Sequence, residues 1–133
     1  MMHRRLLAIF CLGFASAGCP APCVDNPYAV AASELYGTWK TPVVDSWQGQ
    51  VSFEAPDKAH TLANCFNPQG DPVSCGNSSI GGDATFVITG NSVALTIDPS
   101  TVGPLLSDHY SVFKNSCTNL VTLRDGSGGT YTK

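Results

Sequence analysis

Short runs of alternating apolar and polar residues, separated by turn signals, follow one another along most of this chain. The clearest pair lies at residues 85–89 and 92–97, on either side of the dipeptide Gly90-Asn91. Alternation places the apolar side chains on one face of a strand, and glycine and asparagine accept the backbone angles of a tight turn. The pattern is typical of a β-hairpin, and we predict an all-β fold.

Similar patterns predict further strands at residues 35–40, 48–54, 59–66, 73–75, 109–114, 119–124 and 130–133. The total is about eight short strands joined mostly by short loops, with no segment between them amphipathic and long enough for a helix. Sequential hairpins form a meander, and closing the meander removes its unpaired edges. Because no long crossover connection is visible, we predict an antiparallel up-and-down barrel and not a sandwich.

The N-terminal segment has the order of a secretory signal peptide. Residues 1–5 carry positive charge, residues 6–14 are apolar, and small residues follow up to Cys19. The apolar run is too short to cross a bilayer as a permanent helix. We therefore expect residues 1–18 to be removed and the protein to be exported.

Two processing sites compete at the end of this segment. Ser16-Ala17-Gly18-Cys19 resembles a bacterial lipobox, in which the cysteine is acylated, whereas Ala15-Ser16-Ala17 fits ordinary secretion. Cleavage after Ala17 leaves five cysteines in an oxidising compartment, while acylation of Cys19 leaves four for two disulfides. The even number of cysteines left after acylation favours a membrane-anchored lipoprotein on the periplasmic or surface face of the cell envelope. Without acylation the protein would be secreted.

Residues 19–133 have the length of one ordinary domain. We predict a lipid-anchored tether at residues 19–33, where proline and alanine are frequent, and a barrel domain at residues 34–133. This mature part has five basic and ten acidic residues, a net charge of −5. The excess of negative charge argues against nucleic-acid binding. We expect a monomer whose membrane contact is its N-terminal lipid.

The segment Gly37-Thr38-Trp39 resembles the Gly-x-Trp motif of lipocalins, in particular of the small lipocalin-like domains of bacterial lipoproteins. The resemblance covers residues 34–133 and implies that Trp39 plugs one end of the barrel. It also implies that a basic residue from a late strand packs over the indole. Arg124, the single arginine of the mature chain, matches that position and would supply a cation–π contact.

Four cysteines besides Cys19 are available for disulfides, and sequence alone permits three pairings. A Cys65–Cys75 bridge would close a short loop across the turn at residues 67–72. Cys23 and Cys117 are then left for each other by elimination. Because bridged Cα atoms lie within about 7 Å, the second pairing predicts that the tether runs back beside the turn at residues 115–118.

Motifs for catalysis or metal binding are not visible in the sequence. His60 and His109, the two histidines of the mature chain, have no third ligand at metal-site spacing. The serines have no nucleophile-elbow motif, and the carboxylates are scattered, mostly at turns. We therefore expect neither an enzyme nor a bound metal or cofactor.

Two functions stay open. The first is an exported lipocalin-like module that holds a small apolar ligand in its barrel, with Tyr110 or Tyr131 near a rim. Its inward-facing candidates are Val51, Phe53, Phe86, Ile88, Val93, Leu95 and Phe113. The second is a barrel filled by its own side chains, an envelope or surface interaction lipoprotein that acts through loops 67–83 and 99–108. A sealed core favours the second, and a cavity open at one end favours the first.

Overall fold

The computed structural model describes residues 21–75, 81–100 and 104–133, so the predicted signal peptide and Cys19 lie outside the described residues. Within these ranges the chain forms strands and one short helix. In chain order they are β1 (Asp25–Pro27), α1 (Ala32–Leu35), β2 (Gly37–Lys40), β3 (Trp47–Glu54), β4 (Lys58–Phe66), β5 (Pro72–Val73), β6 (Gly81–Thr89), β7 (Ser92–Ile97), β8 (His109–Asn115), β9 (Val121–Asp125) and β10 (Thr130–Tyr131).

Eight strands form an antiparallel meander in the order β2-β3-β4-β6-β7-β8-β9-β10. The meander returns to its start where Lys40 and Thr132 exchange two backbone hydrogen bonds of 2.9 Å. The result is a nearly closed barrel, which confirms the predicted up-and-down fold. The β6–β7 hairpin turns at Gly90-Asn91 as predicted, with φ +61° at Gly90.

Because successive strands run in opposite directions, the connections between them lie alternately at the two ends of the barrel. The end that we name the near end carries residues 21–36 and the turns at 55–57, 90–91 and 116–120. The opposite end, named the far end, carries residues 41–46, 67–75, 98–100, 104–108 and 126–129. Strands β3 and β4 are among the longest and extend past their neighbours at the far end.

The segment predicted as a tether is packed against the barrel from Cys23 onward. β1 pairs with β8, and the Ser116 amide donates to the Val24 carbonyl at 2.8 Å. Val30 and the helical residue Leu35 are buried in the core. The domain therefore begins before residue 34, and the predicted strand at residues 35–40 starts only at Gly37 because the chain first makes a helical turn over the near end.

Both predicted disulfides are confirmed. Cys23 and Cys117 have Cα atoms 5.4 Å apart, and Cys65 and Cys75 have Cα atoms 5.2 Å apart. The first bridge fastens the N-terminal segment beside the turn at residues 115–118, as expected. The second braces the far end, where β5 pairs with the last residues of β4.

The inward-facing side chains fill the barrel. Phe86, Phe53, Tyr110 and Tyr131 form a chain of edge-to-face ring contacts, with successive centroid separations of 5.2, 6.4 and 5.4 Å. The residues predicted to line a cavity belong to this packed core: Val51, Phe53, Phe86, Val93 and Leu95 are buried, and Ile88 packs against them. Tyr110 and Tyr131 are fully buried core residues and do not lie at an exposed rim.

Phe113 is the exception, and the prediction that it faces inward is wrong. Tyr110 and Val112 are the fully buried residues of β8. Because side chains alternate along a strand, Phe113 lies on the outer face. There the guanidinium carbon of Arg124 lies 4.2 Å from its ring centroid.

Trp39 is buried at the near end of the barrel, and the cation over its ring is Lys133 and not Arg124. The indole is 2% exposed and donates to the Leu35 carbonyl at 2.8 Å. The Lys133 ammonium lies 5.1 Å from the ring centroid and donates to the Glu34 carbonyl. The expected contact of Arg124 with Trp39 is wrong, because Arg124 lies on the outer face, where it pairs with Asp25.

Gly37 of the same motif has a physical reason to be glycine. Its φ of +120° is rarely adopted by residues with a side chain. A Cβ atom at this position would also lie 3.1 Å from Cε of Lys133. Gly37 therefore lets the lysine pass over Trp39.

Replacing Trp39 with alanine should lower the free energy of unfolding by about 3–5 kcal/mol, because it leaves a cavity at the near end. Trp47→Ala is the matched control and should cost much less, since Trp47 is 37% exposed. Chemical denaturation of both variants measures the difference. Equal losses would contradict the assignment of Trp39 as the structural plug.

Candidate functional site

The described surface offers an outer groove of about 720 Å³ across β3, β4, β6 and β7. Ser52, His60 and Asp83 are successive cross-strand partners in this groove. His60 Nδ1 lies 2.6 Å from a carboxylate oxygen of Asp83. The Ser52 hydroxyl instead shares a 3.0 Å hydrogen bond with the hydroxyl of Thr38. A nucleophilic triad needs a serine–histidine contact, so this arrangement does not form one.

The described part of the chain holds neither a metal-ligand cluster nor a membrane-spanning helix. No group of three or more histidine, cysteine, aspartate or glutamate side chains there could hold a metal ion. No helix among the same residues is long and apolar enough to span a membrane.

Under the far end, two tyrosines and a carboxylate form a polar cluster inside the barrel wall. The Tyr131 hydroxyl donates to Asp125 at 3.0 Å, and the Gly129 amide donates to the same carboxylate at 2.8 Å. A Cβ atom on Gly49 would lie 2.8 Å from the Tyr131 hydroxyl, so glycine makes room for it. The buried Tyr110 hydroxyl has no hydrogen-bond partner among the described residues.

These contacts set the ionisation of the cluster. Burial raises the pKa of the Asp125 carboxyl, but hydrogen bonds from Ser127, Gly129 and Tyr131 outweigh burial and leave that pKa below its ordinary value. Burial, and then the negative charge of Asp125, raises the pKa of Tyr131. Burial likewise raises the pKa of Tyr110. Asp125 is therefore a stable anion, and both tyrosines stay protonated.

Beyond this cluster, a row of apolar side chains crosses the extension of β3 and β4. Val44 pairs with Trp47, Trp47 pairs with Cys65, and Cys65 pairs with Val73. Directly paired residues of antiparallel strands share one face, and this face continues the inward-facing side of the barrel. We name these four residues the apolar row. Val44 is 61%, Trp47 37% and Val73 45% exposed, so the row overhangs the barrel mouth as an uncovered surface.

Residues of loop 104–108 contact the core beneath this row. Leu105 packs against the core, and the Leu106 amide donates to the hydroxyl of the fully buried Thr61 at 3.3 Å. Leu105 and Leu106 therefore cover part of the interior at the far end. What the far end presents to solvent is the apolar row and the loops around it.

Sequence reasoning missed the apolar row. The turn that creates it, Asp45-Ser46, contains neither glycine nor asparagine, yet both residues have positive φ, at 52° and 64°. Aspartate and serine are common turn residues, but composition alone does not show that this turn places Val44 beside Trp47. The available signal was the spacing of Trp47 from Val51 and Phe53, which places all three on one face of β3.

The sequence-predicted site residues fall into separate groups. Cys19 lies outside the described residues, while the disulfides brace both ends and Trp39 closes the near end.

Comparison of the chain with protein-family models, with curated proteins and with solved structures finds no match.

Replacing Asp125 with asparagine should lower the free energy of unfolding by about 1–3 kcal/mol at neutral pH, because the network loses its charged acceptor. A carboxyl whose folded-state pKa is lowered stabilises the fold above its unfolded pKa, near 4, and this contribution is lost as the pH falls through the folded value. Denaturation between pH 2 and about 7 should show that loss in the parent and a smaller one in the variant.

The matched control is Asp57→Asn, in the exposed turn between β3 and β4. It should leave the acid limb of the stability profile unchanged. Identical profiles for the parent and Asp125→Asn would contradict the role given to this carboxylate.

Proposed function

We propose that this protein is an exported, lipid-anchored interaction module of the cell envelope, whose barrel is a filled scaffold and holds no small molecule. The packed interior carries the proposal. Residues expected to line a ligand cavity instead contact one another through the ring chain from Phe86 to Tyr131. An eight-stranded barrel is just wide enough for its own side chains to fill it. Binding must then take place on the outer surface.

Export is supported by the two disulfides, which persist in oxidising compartments. The bridge at Cys23 also holds the N-terminal segment at the near end. From Cys23 to Cys19 an extended chain reaches about 14 Å at most. If Cys19 carries the lipid, the near end faces the membrane and the far end points away from it, where a partner can reach the loops.

A native mass spectrum of the protein purified from its own membranes tests this proposal. We expect one species that begins at Cys19, carries acyl groups and two disulfides, and has no further stoichiometric compound. A Cys19→Ala variant should leave the membrane fraction. Cys11→Ala, which changes a cysteine within the signal peptide, is the matched control and should stay membrane-bound.

Two results would contradict the proposal. A stoichiometric apolar compound in the spectrum would restore the ligand-carrier function. A Cys19→Ala variant as membrane-bound as the parent would remove the lipid anchor.

A further inference from the structure

We propose that the apolar row at the far end binds a basic segment of another protein that presents apolar side chains. This inference rests on the proposed function and names the surface and the partner chemistry. Two observations carry it: the uncovered apolar face and the charge of the loops that surround it.

The row has the dimensions of a side-chain binding strip. Four cross-strand neighbours at about 4.8 Å spacing span about 14 Å. The backbone beneath it is fixed, because the Cys65–Cys75 disulfide joins two of its strand segments and the Phe66 amide donates to the Ser46 carbonyl at 2.9 Å. Tryptophan is enriched at binding hot spots, and a fixed strip loses little conformational entropy when a partner docks.

The two loops that carry the ends of the row have only negative charge. Loops 41–46 and 67–75, which carry Val44 and Val73, contain no lysine or arginine and contribute two aspartates, Asp45 and Asp71, which we name the acidic rim. Both residues are exposed. Charges placed around an apolar centre steer partners of opposite sign and repel others.

The acidic rim decides between occupants. A second copy of this chain would bring an identical rim against this one, and like charges facing each other across an interface are unfavourable. An anionic lipid surface would be repelled for the same reason. A protein segment with lysine or arginine beside apolar residues can contact the apolar row with its apolar side chains and the acidic rim with its positive charges.

A peptide comparison tests the partner chemistry with the full folded protein. The probe is a capped peptide that alternates lysine with leucine; one comparison peptide has glutamate for lysine, and the other has serine for leucine. Binding should appear as a blue shift of tryptophan emission, since Trp47 becomes covered while Trp39 is already buried. We expect binding of the lysine–leucine peptide alone, weakening as salt is added.

Matched variants locate the site. Val44→Ser and Val73→Ser together should weaken binding by roughly tenfold or more, because they remove both flanks of the row. Val87→Ser is the control, since Val87 is 64% exposed on the outer face of β6, away from the far end. Asp45→Asn with Asp71→Asn should weaken binding and reduce its salt dependence. Circular dichroism confirms that each variant is folded.

Each alternative has its own result. Equal binding of the lysine and glutamate peptides, or no binding of any peptide, overturns the inference. Equal effects of Val44→Ser with Val73→Ser and of Val87→Ser also overturn it. Self-association in sedimentation that Val44→Ser abolishes would assign the row to a second copy, and row-dependent flotation with anionic vesicles would assign it to lipid. In every one of these cases, a native mass spectrum without a bound compound would still support the proposed function.

Discussion

The structure depends on the filling of a short eight-stranded barrel by its own aromatic side chains. Phe53 contacts both Phe86 and Tyr110, and Tyr110 contacts Tyr131, so β3, β6, β8 and β10 are joined through the interior as well as around the wall. Edge-to-face aromatic pairs contribute about 0.5–1.5 kcal/mol each beyond their buried area. This packing leaves the two ends and the outer faces as the surfaces that contact solvent.

The two ends are packed by different means and present different surfaces. At the near end, Trp39 and the helix α1 form a plug, and the Cys23–Cys117 bridge ties the N-terminal segment to the barrel. At the far end, Leu105 and Leu106 contact the core, and the extension of β3 and β4 carries the apolar row. A chain anchored through its N-terminus would therefore present the apolar row and the acidic rim to partners.

The fold was predictable because each hairpin is encoded locally. Alternation and turn residues fixed the meander, and loop closure pointed to the correct disulfides. The errors concern side-chain direction and long-range partners. The prediction for β8 placed Phe113 inward where Tyr110 and Val112 face inward, and a one-residue shift of parity exchanges the two faces of a strand. Lys133 replaces Arg124 over Trp39 because residues far apart in sequence meet only when the barrel closes.

The candidate site was harder to predict than the fold. The apolar row needs a turn with positive φ at Asp45 and Ser46, and it needs the short strand β5 beside β4. Aspartate and serine are turn residues and a strand was predicted at residues 73–75, but neither pattern shows that the two segments meet on one face of the extended strands. The exposure of Trp47 and Val73 depends on how far β3 and β4 extend past the barrel mouth, which tertiary packing determines and local pattern does not.

Xenon titration followed by methyl NMR tests the filled interior most directly, because xenon enters dry apolar cavities and leaves packed cores unaffected. The reporters are the methyl groups of Val51, Val93 and Leu123, which are fully buried, with exposed Val87 as the reference. We expect small shifts that rise linearly with xenon pressure and match those of Val87. Saturable shifts confined to the three interior residues would reveal a cavity and contradict a filled barrel.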